Sequence, residues 1–247
     1  MSWRNNLERV PGIAPKTLDL GRTATALVIV DMQYLDAHRD YGLGKSLQKT
    51  HPRLWRYYFD RIERVVVPNA KRLLHAFRRG RMRVIHLTLG PELQDGADFV
   101  GPDAAFLRQM RPSSSPGFFH KETFEHRILP DLAPVDGELV VNKTSRSAFT
   151  STALERTLLN LRVRTVIVVG VATSACVDLT ARDAVDRGFG AVIVEDATAD
   201  LDEVLHEAAL RQFVFRWGRV WTCEETLRAL RRRGEPAGAS RGGDGTR

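Results

Sequence analysis

Cysteine is scarce in this chain. There are two among 247 residues, Cys176 and Cys223, too few for a disulfide framework. Long apolar runs are missing as well. Nothing approaches the roughly 18 residues of a bilayer-spanning helix, so no membrane contact is expected. The opening segment, MSWRNNLERV, lacks the apolar stretch of a secretory signal. Together with the few cysteines this makes a reducing cytoplasm the expected location. The seven histidines are scattered, with none at zinc-like spacing, so no metal and no other cofactor is expected. Hydrophobic residues are not lacking. At 43% they suffice for a core and exclude wholesale disorder.

Acidic residues fall short of basic ones, leaving a formal net charge of +7. The excess is concentrated in Arg78, Arg79, Arg81 and Arg83, in Arg228, Arg231, Arg232 and Arg233, and in the C-terminal tail. These positions read as helix ends and a terminus. They are not interleaved with aromatics as in a single-strand-binding groove. They are therefore read as solvated surface, and no nucleic-acid partner is expected.

Continuous apolar runs recur along the chain. ALVIV (26–30) ends at Asp31, VIHL (84–87) precedes Gly90-Pro91, and ELVVN (138–142) is weaker. TVIVV (165–169) is the clearest, AVIV (191–194) follows, and Val220-Trp221 suggests a short sixth. Continuous rather than alternating hydrophobicity suits parallel strands buried on both faces. Helical patterns lie between the runs. Pro68 suits a first helical position, with Ala70, Leu73, Leu74 and Phe77 on one face and Gly80 as a stop. Segments 151–161, 176–187, 202–215 and 222–232 follow, the last with Thr222 as its cap.

This alternation predicts the α/β class: a single doubly wound domain with a central, mostly parallel, six-stranded sheet flanked by helices. Its expected bounds are 23–233. Residues 1–22 read as an N-terminal arm and 234–247 as a disordered tail. Residues 34–60 and 90–130 show no clean period and read as excursions above the sheet, where such folds build pockets.

In parallel sheets ligands bind at the carboxyl ends of the strands. Asp31 ends the first strand, Lys143 follows the third, and Cys176 comes just after the fourth across the turn GVATSA (170–175). Three reactive groups far apart in sequence thus face one edge. Cys176 also opens a helix, where unpaired amides and the helix dipole favour a thiolate. Cys223, a lone cysteine on a helix with apolar neighbours, is read as core and given no role. On this reading Asp31 takes the thiol proton and later returns one to a leaving amine. Lys143 keeps Asp31 ionised, and the turn's amides face a developing oxyanion.

Three segments resemble the isochorismatase-like cysteine hydrolases: ALVIVDMQ (26–33), NKTSRSAF (142–149) and VVGVATSACVDLTARDAVDRGFGAVIVEDATAD (168–200). Their order and spacing agree across 24–222. The resemblance implies a Rossmann-like hydrolase fold and a catalytic triad of Asp31, Lys143 and Cys176. It also implies a cis peptide between Val171 and Ala172, which turns the Ala172 amide toward the oxyanion beside that of Cys176. Relatives assemble as homodimers or homotetramers, and the same is expected here. Nicotinamidases carry an Asp-Trp-His-Pro segment and a metal after the second strand, whereas this chain has HLTLGPELQDG (86–96). Isochorismatases proper lack the cysteine. The remaining branch cleaves linear C–N bonds in small amides, ureides and carbamoyl compounds through a thioester, and KTSRSAF fits its K-x-x-x-S-A-F pattern. An ether or ester hydrolase, or an inactive binding relative, are the alternatives.

Substrate contacts are assigned to three residues. Arg146 is placed to clamp a carboxylate bidentately, with a subunit edge as its other reading. Gln33 is placed to position the substrate or the lysine. Tyr58, with Trp55, Tyr57 and Phe59, is read either as a pocket wall or as core and interface packing. His206 is read as structural.

Overall fold

The computed structural model describes residues 18–100 and 119–232. The expected tail, and the expected arm apart from residues 18–22, lie outside the described residues.

Six strands form one sheet: β1 (Thr25–Val30), β2 (Arg83–Leu89), β3 (Leu139–Lys143), β4 (Thr165–Val171), β5 (Gly190–Ala199) and β6 (Arg219–Trp221). Their order is β3-β2-β1-β4-β5-β6, and every pairing is parallel. The sheet is thus wholly, not mostly, parallel. The chain winds outward from β1 to β3, then returns to β4 and winds the other way. The switch falls between β1 and β4, where a crevice opens at the strand ends.

The continuous apolar runs serve two cores at once. In β1, Ala26, Val28 and Val30 face one layer while Leu27 and Ile29 face the other; in β4, Val166 and Val168 oppose Ile167, Val169 and Val171. One layer is closed by α6 (Leu154–Asn160), α7 (Asp178–Asp186) and α8 (Glu203–Arg216). The other is closed by α3 (Pro52–Arg61), α4 (Val67–Arg79) and α9 (Cys223–Arg232). Thr222 caps α9 reciprocally with Glu225: Glu225 N–H donates to Thr222 Oγ1 (3.1 Å) and Thr222 N–H to Glu225 Oε2 (2.7 Å). Among the described residues no helix is long and apolar enough to cross a membrane.

Two expectations change. Residues 34–60 are helical for most of their length, as α1 (Tyr34–Ala37), α2 (Gly42–Thr50) and α3. The helices are short and only partly buried, so their apolar stripes are too brief to show a period. Pro68 lies in the first turn of α4, as expected, but no loop precedes that helix. The chain runs on from α3 through a widened turn, Ile62–Val66, in which the Val67 N–H reaches Ile62 O five residues back. The wider turn accommodates a residue that has no N–H and would clash with a regular preceding turn.

β1 and β4 leave no room for a side chain between their ends. Gly170 pairs with Val30 at φ +114°, and a Cβ there would stand 2.0 Å from Val30 O. Only glycine fits that contact.

β3 is an edge strand with Leu139 and Val140 exposed, so its placement needs other anchors. Arg78 on α4 forms a two-pronged ion pair with Glu138, both bonds 2.8 Å. His86 Nε2 on β2 lies 3.0 Å from Glu138 Oε2, and the Val135 N–H donates to the same oxygen. Burial alone would raise Glu138, but these partners hold it at about 2. A carboxylate depressed in the fold stabilises fully above its unfolded value, about 4.3. That stabilisation is lost as pH falls toward 2. Glu138→Gln should lower unfolding stability at pH 7 by about 2 kcal/mol. Urea titrations should show the gap between variant and wild type narrowing from pH 5 to pH 2.5; a gap independent of pH would refute the assignment.

Candidate active site

Asp31 follows β1 with φ 51°. This left-handed conformation is one that Asp tolerates better than most residues. Its N–H still donates to Leu87 O (3.0 Å). Lys143 is the last residue of β3, two strands away. Neighbouring strands lie about 4.8 Å apart, so roughly 10 Å separates β3 from β1. The lysine arm crosses the end of β2, and its Nζ donates to Asp31 Oδ2 at 2.8 Å and to Ser145 O at 3.2 Å. Both side chains are essentially inaccessible, at 0% and 1% exposure.

Cys176 follows β4, in a second widened turn, Thr173–Val177, that leads into α7. The Val171–Ala172 peptide is cis. The N–H groups of Ala175 and Val177 donate to Ala172 O (3.1 and 3.2 Å). That of Ser174 donates to Asp200 Oδ2 (2.6 Å). Asp31 Oδ1 has no fully formed hydrogen bond among the described residues. The Cys176 thiol makes a weaker hydrogen-bonding interaction with this carboxyl, drawing the carboxyl down and the thiol up.

Burial pushes Asp31 above the usual carboxylate range, although Lys143 and the thiol act against it. Burial opposes the lysine charge, yet Asp31 and Cys176 outweigh it, and Lys143 is raised and stays cationic. Burial first, and the neighbouring Asp31 second, push the Cys176 thiol well above its ordinary value. Cys176 is therefore held as a thiol, not as the thiolate expected from a position at a helix start. Desolvation outweighs the helix dipole here.

A cavity of about 350 Å³ opens over these groups, with Asp31, Val171, Ala172 and Cys176 in its lining. Tyr58 and Arg146 line it too. Tyr58 is a fully buried part of the wall, and Arg146 is the cation among lining residues that also include Asp36 and Asp200. Gln33, expected at the substrate, is not in the lining. Its amide joins main-chain segments: Oε1 accepts from Leu89 N–H (2.7 Å), and Nε2 donates to His126 O (2.8 Å) and Leu89 O (3.3 Å). It shapes the end of β2 from inside the protein. Phe59 is core, and the Trp55 indole N–H donates to Arg39 O. Among the described residues no group of three or more His, Cys, Asp or Glu is arranged to hold a metal.

Asp200 was missed in the sequence. β5 does not end at Val194 but continues past an irregularity to Ala199, which puts Asp200 at the same strand-end edge as Asp31. The other missed lining residues include Leu35 and Leu43 from the unrecognised helices, Phe119, and Leu201 and Leu205 at the start of α8.

The sequence matches the Isochorismatase domain over residues 25–225. The chain belongs to the isochorismatase family. It is 30% identical to the uncharacterized isochorismatase family protein YwoC of Bacillus subtilis over 215 residues, which is 87% of this chain and 98% of that protein. Nicotinamidase 3 of Arabidopsis thaliana is 40% identical over 145 residues, 49% of this chain and 73% of that one. The ureidoacrylate amidohydrolase RutB of Rhizobium rhizogenes is 29% identical over 196 residues, 76% and 75% of the two chains. In fold, a cysteine hydrolase from Pseudomonas syringae pv. phaseolicola 1448A superposes with a TM-score of 0.69 at 23% identity, covering 85% of this chain and 94% of that one.

Removing one member of a buried ion pair leaves an uncompensated charge, at a cost of about 3–5 kcal/mol. Lys143→Met should destabilise the protein by that much at pH 7. The orphaned Asp31 would then bind a proton more readily in the folded than in the unfolded chain, so the loss should be smaller at pH 4.5. Denaturation at the two pH values measures this, and an equal loss at both would count against an ionised Asp31.

Proposed function

We propose that this chain hydrolyses a linear C–N bond of a small amide, ureide or carbamoyl compound, with Cys176 as nucleophile and a thioester intermediate. One observation carries the reading: the buried Lys143–Asp31 pair meets a buried thiol at the base of a cavity of small-molecule size. The names of RutB and Nicotinamidase 3, both hydrolases of C–N bonds, support it.

Asp31, raised by burial, is a stronger base than an exposed aspartate. It takes the proton from Cys176 Sγ as sulfur attacks the carbonyl carbon and the carbonyl electrons move to oxygen. On the resemblance to the cysteine hydrolases, the N–H groups of Ala172 and Cys176 are assigned to that oxygen; those of Ser174 and Ala175 donate elsewhere. Collapse of the tetrahedral adduct breaks the C–N bond, and Asp31 hands its proton to the departing nitrogen. Water then attacks the thioester, giving a proton to Asp31, which returns it to the sulfur. Lys143 stays protonated throughout. Arg146 is assigned to an anionic group at the far end of the substrate, and Tyr58 to its apolar wall.

A panel of N-carbamoyl amino acids, ureides and simple amides should reveal ammonia release by the wild type. Cys176→Ala should lower kcat by at least about 10³-fold with an unchanged Tm. Wild-type turnover in that variant would end the proposal. A folded wild type inert on every C–N substrate but active on esters or vinyl ethers would favour the ether or ester reading.

A further inference from the structure

The turn that carries Cys176 is also held from behind. Thr173, three residues before the nucleophile, is fully buried and is not part of the cavity lining. Its Oγ1 lies 2.8 Å from Nδ1 of His206 on α8. The other ring nitrogen, Nε2, lies 2.9 Å from a guanidinium nitrogen of Arg61, the last residue of α3. A guanidinium offers only N–H donors, so Nε2 must accept and carries no proton. The ring proton is therefore on Nδ1 and is donated to Thr173. Arg61 also donates to Glu195 O (2.9 Å) and Thr198 O (3.1 Å), which flank the irregular part of β5. Burial, reinforced by the Arg61 charge, pushes His206 down to about 3. The ring thus stays neutral, with one tautomer, at any pH where the protein would work.

The next residue of the turn, Ser174, is held through its N–H by Asp200. Two consecutive residues are thus tied to fixed partners, one by side chain and one by main chain. They lie between the Ala172 amide and the Cys176 amide.

We infer that His206 and Thr173 are positioning residues, whose Nδ1–H···Oγ1 bond sets the placement of the Ala172 and Cys176 amides at the reacting oxygen. This rests on the reading of Cys176 as the nucleophile. Neither residue touches substrate. Their effect is on the transition state, because an oxyanion forms only there.

Four variants test the inference. Thr173→Val keeps the shape and removes the acceptor, while Thr173→Ser keeps the acceptor. His206→Leu removes the donor, while His206→Asn places an amide N–H near the site of Nδ1. Kinetics are measured on the panel substrate that the wild type turns over fastest, and Cys176 alkylation by iodoacetamide is measured in parallel. Alkylation needs the thiol but no oxyanion contact. Thr173→Val and His206→Leu should lower kcat by about 10- to 100-fold with KM within about 2-fold. Thr173→Ser and His206→Asn should stay within about 3-fold of wild type, and alkylation rates should change less than about 3-fold in all four. Near-normal kcat in Thr173→Val and His206→Leu would overturn the inference. So would losses that Thr173→Ser and His206→Asn fail to relieve, or losses matched by equal changes in alkylation, since those indicate general disorder. If Thr173→Val does not fold, the two His206 variants carry the same comparison. Retained activity in Cys176→Ala would instead remove the reading beneath, and this inference with it.

Discussion

The ion pair between Lys143 and Asp31 governs the arrangement of this protein. Two charges with almost no exposure are costly to bury, and each is tolerable only because the other is 2.8 Å away. The pair spans β3 and β1 across β2, so it requires that strand order and that register. It requires a left-handed residue at the end of β1, and Asp fits there. It requires an edge strand that stays in place, and the Arg78–Glu138–His86 cluster holds β3 at its entry.

Such a pair is a poor device for stability, since apolar side chains of similar volume would often do as well. In the proposed reaction its value lies in the proton it lets the site move. At rest the site holds an ammonium, a carboxylate and a thiol. After the transfer in the proposed reaction it holds an ammonium, a carboxylic acid and a thiolate. The net charge is zero in both cases, and Lys143 faces one anion throughout. Activation therefore adds no new buried charge. It requires only that the proton affinities of Asp31 and Cys176 not lie too far apart. Burial raises both of them, so the low polarity that makes the thiol a reluctant acid also makes the carboxylate a stronger base.

Most of this frame was legible in the sequence because strands buried on both faces leave continuous apolar runs, and all six could be read, the third only weakly and the sixth from two residues. The strand-end rule then placed Asp31, Lys143 and Cys176 on one edge without any coordinates. What escaped notice did so for identifiable reasons. The irregularity in β5 broke its hydrophobic run at Val194 and hid Asp200. The helices over 34–61 bury too few residues to show a period. Pro68 marked the first turn of α4 but gave no sign that α3 runs into it through a widened turn. Gln33, two residues from Asp31 along the chain, pointed to the substrate in one dimension and to the main chain of β2 and His126 in three. The ionisation of Cys176 depends on desolvation, which a position at a helix start does not report.

The two departures from regular helix, at Ile62–Val66 and Thr173–Val177, lie far apart in sequence and are linked through His206. Arg61, just before the first, bonds His206, and His206 bonds Thr173 at the start of the second. The irregular stretch of β5 lies between them, held by Arg61 through two carbonyls. A regular helix satisfies its own main chain and needs no such outside partners. A widened turn loosens the backbone pattern locally, and the second one here is bound to side chains of other elements through Thr173 Oγ1 and the Ser174 N–H. Cys176 therefore sits on backbone tied by tertiary hydrogen bonds as well as by its own repeat. In the proposed reaction, the placement of the Ala172 and Cys176 amides then depends on a histidine and an arginine that do not line the cavity.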